Sequence, residues 1–107
     1  TVRQPTPKLM LSTMARAGAT GFLKSLALEV AVDGVTVNSI QPGSHDTERL
    51  RSLYGGDLSR AAADVPIGHV GDADDFGRVA AFLCSESARF ITGAAIPVDG
   101  GRWDGLQ

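Results

Sequence analysis

The residues best equipped for chemistry are few and lie far apart along the chain. Pro42-Gly43-Ser44-His45-Asp46-Thr47 gathers an imidazole, a carboxylate and two hydroxyls in one short loop. An imidazole with an ordinary pKa near 6.5 can act as a general acid, so His45 is either that or a plain loop histidine. Ser12 and Arg16 stand four residues apart and would share one face of a helix. They read as a solvated or subunit-facing pair, or as a site in which the permanently charged guanidinium fork holds hydroxyl groups. His69, in Pro66-Ile67-Gly68-His69-Val70-Gly71, suits the ordering of a turn. Two histidines so far apart, without a cysteine or carboxylate cluster at ligand spacing, do not make a metal site. Cys84 has no second cysteine to pair with, and within Ala80-Ala81-Phe82-Leu83-Cys84 it is expected to pack as a small hydrophobe.

The elements that must carry these residues follow from periodicity. The first nine residues hold Pro5 and Pro7 and should be extended. A helix is expected from about Leu9 to Val32, with Met14, Gly18, Phe22, Leu26 and Val30 on one face. Its middle is small-sided, with Ala15, Ala17, Gly18, Ala19 and Gly21. Glycine weakens a helix by about 1 kcal/mol relative to alanine, so two of them suggest close approach of a neighbouring helix or cofactor. Asp33-Gly34 reads as a left-handed cap. Val35–Ile40 is a β-branched strand. Residues 44–65 are polar around Gly55-Gly56 and suggest a flexible substrate flap with one or two helical turns. Asp72 suits an N-cap, with Asp74 and Asp75 in the first turn of a helix that turns Phe76, Val79, Ala80 and Leu83 to a core. Ile91-Thr92-Gly93 should turn into a second strand, Ala94–Val98, closed by Asp99-Gly100-Gly101.

Strands separated by helices imply parallel crossover units, and parallel sheets are normally buried on both faces within a larger sheet. The 107 residues, 43% of them hydrophobic and 21% charged, therefore suit a partial α/β domain or an obligate half of an assembly. A start at Thr1 rather than methionine fits a processed or truncated polypeptide. The net charge of −2 argues against a nucleic-acid or polybasic membrane surface. Neither a membrane-spanning run nor a signal peptide is recognisable, which suits the cytoplasm.

Three blocks together resemble the short-chain dehydrogenase/reductase family: Ala17–Gly43, Val65–Gly71 with its following helix, and Ile91–Gly101. The resemblance covers nearly the whole chain and implies the C-terminal part of a Rossmann-type parallel sheet, with about two strands and three helices over residues 1–107. The family's N-terminal dinucleotide-binding half would be missing, and with it the glycine-rich phosphate turn. Gly18-x-x-Gly21 lies inside a helix with no strand before it and does not replace that turn.

In the family, a tyrosine and a lysine four residues apart relay the substrate proton and bind the nicotinamide ribose. Aligning on Ala17–Ala31 puts Ser12 at the tyrosine position and Arg16 at the lysine position. A serine hydroxyl is a far weaker acid than a phenol of pKa about 10. Leu11-Ser12-Thr13 with Arg16 resembles a divergent subgroup that carries Leu-Ser-Asn and arginine there. The resemblance also implies that Pro42-Gly43-Ser44-His45-Asp46-Thr47 is the nicotinamide loop. The His45 backbone N–H would face the carboxamide, and the Thr47 hydroxyl would reach the cofactor.

The resemblance implies part of an NAD- or NADP-dependent oxidoreductase acting on a carbonyl or hydroxyl substrate, with a 3-oxoacyl reductase-like activity among the candidates. The chain alone should neither hold a dinucleotide tightly nor turn over. Its expected partners are an N-terminal half or second chain and further copies of itself, since Trp103 and the small-sided helix could pack across subunits. The alternative is a catalytically inactive structural or oligomerisation module.

Overall fold

A computed structural model describes residues 7–105. It is an α/β structure in which two strands pair as one sheet. The first strand, β1, is Ser39–Pro42 and the second, β2, is Ala95–Val98. Ser39 N–H donates to Ala94 O at 2.9 Å and Gly43 N–H to Val98 O at 3.0 Å. The pairing keeps one sequence offset along its length, so the strands run parallel. Four α-helices accompany them, where about three were expected: α1 (Met10–Val30), α2 (Glu48–Leu53), α3 (Leu58–Ala62) and α4 (Ala73–Leu83). The chain forms two compact units, Thr1–Ser39 with Ser85–Ile96, and Ile40–Cys84 with Pro97–Gln107.

The first unit is built on α1. A 3₁₀ turn, Ala31–Asp33, continues the helix, and Gly34 at φ 75° ends it in the left-handed conformation anticipated there. The buried face of α1 differs from the one its fourth-residue repeat suggested. Ala27 is buried, whereas Met14 and Phe22 are each 66% exposed. The helix instead turns Thr20, Leu23 and Lys24 to Val37, Ser39 and Gly93–Ala95, around a cavity of about 280 Å³. Lys24 Nζ donates to Gly93 O at 3.0 Å and anchors that face. Gly18 and Gly21 have nothing of the described structure within 4 Å of where a Cβ would stand.

The strand begins later than its β-branched residues suggested. Side chains take over the ladder ahead of it: Val37 N–H donates to Thr92 Oγ1 at 3.1 Å, and Asn38 bonds Ile91 O at 2.8 Å and Ala94 N–H at 3.1 Å. Asn38 thus satisfies a backbone donor and a backbone acceptor that strand pairing would otherwise serve. Regular pairing starts only at Ser39. Pro42, which has no N–H to offer a ladder, is the last strand residue.

The second unit is a set of short helices and tied loops. Each helix is capped by its own sequence. Thr47 Oγ1 accepts from Leu50 N–H at 3.2 Å, Asp57 Oδ1 from Ser59 N–H at 3.1 Å, and Asp72 Oδ1 from Asp74 N–H at 2.6 Å. The Ser59 hydroxyl also donates to Asp57 and, with the backbone donors, holds that carboxyl below the usual carboxylate range. Ala61, Val65, Leu83 and Ser44 are buried, and Phe76, Val79 and Ala80 are half-buried, as the helix pattern predicted. Cys84 departs from expectation. It is exposed, because α4 ends at Leu83 and the chain turns away at the cap.

Candidate functional site

In open α/β sheets the ligand-binding loops follow the carboxyl ends of the strands. Here the loop after β1 is Gly43–Thr47. Gly43 leaves the strand under close contact, for a Cβ on it would stand 2.5 Å from the Asp99 Cα. No other residue type fits without moving backbone, and the glycine brings this loop against the turn that follows β2. Ser44 is 7% exposed, and its hydroxyl accepts from Arg102 Nη1 at 2.8 Å.

His45 lies in an isolated parallel bridge with Gly71. The bridge is made by its neighbours: Gly71 N–H donates to Ser44 O at 2.9 Å, and Asp46 N–H to Gly71 O at 2.8 Å. In that pattern the bridging residue's own N–H faces away from its partner. Among the described residues the His45 N–H has no acceptor. The imidazole is turned into the unit, edge-on to Phe76 with ring centroids 5.0 Å apart. Its Nδ1 is 3.4 Å from Gly43 O. A Cβ on Gly71 would fall 2.7 Å from the ring, so the glycine makes the space that the imidazole fills. The backbone donor of His45 is thus left open among the described residues, while its ring is engaged in packing.

Asp46 closes the loop with a two-point pair to Arg51, at 2.6 Å through Nε and 2.7 Å through Nη2. The guanidinium holds the Asp46 carboxyl below the usual carboxylate range, chiefly through these hydrogen bonds, and the carboxylate in turn raises Arg51. Thr47 starts α2, and its oxygen is used as an acceptor. Its hydroxyl hydrogen is thereby left to donate elsewhere.

Beside the loop, a cavity of about 190 Å³ is lined by apolar residues that include Val65, Ile67, Val79 and Val98. His45, His69 and Asp72 also line it. Among the described residues no group of three or more His, Cys, Asp or Glu could hold a metal ion. His69 bonds locally, with Nδ1 2.9 Å from Val70 O.

Ser12 and Arg16 belong to the other unit. On exposed turns of α1, Arg16 Nη1 donates to Ser12 Oγ. Pro42 closes β1 and Gly43, His45 and Thr47 lie in the loop that follows it, while Ser12 and Arg16 form their own i,i+4 pair. Sequence reasoning passed over Arg102, Asp99 and Gly71 as parts of the loop's setting. The doubled glycines after Asp99 were the signal that a close approach occurs there. No helix among the described residues is long and apolar enough to cross a membrane.

The parallel strand pair, with a glycine-mounted loop at the carboxyl end of β1, is the arrangement of part of an open α/β sheet. A family profile described as enoyl-(acyl carrier protein) reductase matches residues 2–102. The chain belongs to the short-chain dehydrogenase/reductase family. It is 38% identical over 89 residues to the 3-oxoacyl-[acyl-carrier-protein] reductase FabG of Pseudomonas aeruginosa, covering 83% of this chain and 36% of that protein. It is 42% identical over 90 residues to the acetoacetyl-CoA reductase of Shinella zoogloeoides, covering 83% and 37%. Among solved structures it superimposes with a TM-score of 0.86 on an NADPH-bound short chain oxidoreductase from P. aeruginosa whose catalytic center is described as atypical. That pair is 30% identical over 98% of this chain and 43% of the other. YwfH, an NADPH-dependent reductase involved in bacilysin biosynthesis, gives a TM-score of 0.90 at 28% identity, over 97% and 44%. The chain spans little more than a third of the length of the curated relatives it matches.

Proposed function

We propose that this chain is the carboxyl-terminal part of a nicotinamide-dependent carbonyl reductase and completes its site with an N-terminal dinucleotide-binding half. The observation that carries the reading is the His45 N–H at the carboxyl end of β1, without an acceptor among the described residues, beside a Thr47 hydroxyl whose oxygen serves as an acceptor and whose hydrogen is left to donate. Both fit a carboxamide and its neighbouring oxygens. His45 and Thr47 would hold the nicotinamide end, and Gly43 would keep the loop's backbone close enough to approach it. When bound, the nicotinamide supplies hydride to a carbonyl carbon. The substrate class is a 3-oxoacyl thioester, supported by the reductases this chain is similar to.

The proton for the product alcohol is the unusual part. Ser12 accepts from Arg16 and is too weak an acid to stand in for a phenol. Arg16 is retained as a cation that orders oxygen atoms, either ribose hydroxyls or a water that delivers the proton. The likeness to an oxidoreductase with an atypical catalytic center supports a working enzyme without a phenol at this position. The same serine and arginine favour a second reading, an inactive module that keeps the fold and stabilises an assembly.

NADPH titration separates the two readings. The chain is combined with its N-terminal half, and cofactor oxidation is then followed with a 3-oxoacyl thioester. Saturable binding with turnover is expected. Arg16→Ala should weaken binding by about 1.5–3 kcal/mol if the guanidinium bonds ribose. Binding without turnover of any carbonyl establishes the module; no binding removes the loop assignment.

A further inference from the structure

The nicotinamide loop does not hold its own shape. Residues 99–103, the turn after β2, are fastened at one end by Asp99, whose Oδ1 accepts from Gly101 N–H and Oδ2 from Trp103 N–H, each at 3.0 Å. Ile67 N–H donates to Gly100 O at 3.1 Å, so the turn is also sewn to the segment leading to Gly71. From this fastened turn, Arg102 reaches out and donates to the buried Ser44 hydroxyl at 2.8 Å. Its other terminal nitrogen is 3.8 Å from Asp64 Oδ2. Ser44 is the residue whose carbonyl takes the Gly71 bond, and it directly precedes His45. Contact at Gly43–Asp99 and the hydrogen bond at Ser44–Arg102 thus grip two successive residues of the loop from the same turn.

We propose that Arg102 is a positioning residue: through Ser44 it holds the His45 N–H in the orientation that receives the nicotinamide. The proposal rests on the reading of Pro42–Thr47 as a nicotinamide site. Arg102 needs no contact with cofactor or substrate for this role. Three properties make it suitable. Its charge strengthens the bond to Ser44. Its partner hydroxyl is shielded from water, so water does not replace the bond at no cost. Its backbone is fixed by Asp99 rather than left as a free tail.

The test uses the chain combined with its N-terminal half and reads hydrogen exchange and NADPH affinity in parallel. In the unaltered protein, NADPH should protect the amides of residues 43–47. In Arg102→Ala, the hydrogen-bonded amides of Gly43 and Asp46 should exchange faster. The NADPH Kd should rise about 5- to 10-fold, less than for a fully buried charge-assisted bond because Arg102 is partly exposed. Arg102→Lys, which keeps one donor, should recover most of the affinity. Ser44→Ala should resemble Arg102→Ala, and the double variant should be no worse than either single one.

Unchanged exchange and affinity in Arg102→Ala, with NADPH still protecting the loop of the unaltered protein, overturn the positioning role and leave the loop assignment standing. Faster exchange with unchanged affinity overturns it as well. An affinity loss that Arg102→Lys does not recover, accompanied by an equal fall in thermal midpoint, marks a general structural role and is a third refutation. If NADPH leaves residues 43–47 unprotected in the unaltered protein, the loop assignment itself fails and the proposal falls with it.

Discussion

Gly43 in the second compact unit and Gly18 and Gly21 in the first stand in opposite surroundings. In the second unit, Gly43 is pressed against backbone, with room for no further atom. In the first, Gly18 and Gly21 sit on an open helix face. The contrast extends to their polar groups. The helices α2, α3 and α4 of the second unit are capped by side chains, whereas α1, with Leu9 at its N-cap position, has no side-chain cap and leaves Met10, Leu11, Met14 and Phe22 exposed. The loop that would do the chemistry is specified by contacts within its own unit. The long helix carries an apolar surface that the described residues leave open.

Glycine-to-alanine substitution should therefore have opposite signs at these positions. Gly43→Ala forces a methyl against Asp99 and should destabilise by about 1–3 kcal/mol, as overpacking does. Denaturant midpoints will show it, and a neutral result would mean the Gly43–Asp99 approach is looser than described. Gly18→Ala or Gly21→Ala should stabilise by roughly 0.5–1 kcal/mol, the ordinary helix-interior gain. A loss there, in the chain combined with its N-terminal half only, would sharpen the comparison by showing that the open face is used in the assembly. The smallest effect concerns Asp46. Arg51 lowers its carboxyl pKa from the ordinary 3.8, so the pair favours the folded state above that value. The contribution is lost as pH falls through the folded-state pKa. Asp46→Asn should flatten the pH dependence of stability in that acidic window and leave neutral pH little changed. Equal acid sensitivity in the variant would remove the pair from the account.

What the sequence made legible was whatever short-range rules decide. Asp72 before Asp74 and Asp75, Gly34 after a helical run, and the Pro42-Gly43 exit from a strand are local patterns, and each forms as read. The buried face of α1 was misread because its repeat is a property of the helix alone. The choice of Ala27 over Met14 and Phe22 is made by what the helix meets, namely Val37 and Gly93–Ala95. The start of β1 was misplaced for a related reason: Asn38 and Thr92, more than fifty residues apart, substitute side chains for ladder bonds. At the site, the loop was readable as a motif, but its fastening was not. Ser44 and Arg102 are distant in sequence, and nothing in either residue's neighbours announces the other.

The single bridge between His45 and Gly71 has an evolutionary consequence. It pins both ends of the intervening segment, so α2, α3 and their connections hang from the binding loop as a replaceable insert. Lengthening such a segment costs little, about 0.6 kcal/mol per doubling of loop length. A different segment can thus replace residues 48–64 while the bonds among Ser44, Asp46 and Gly71 stay as they are.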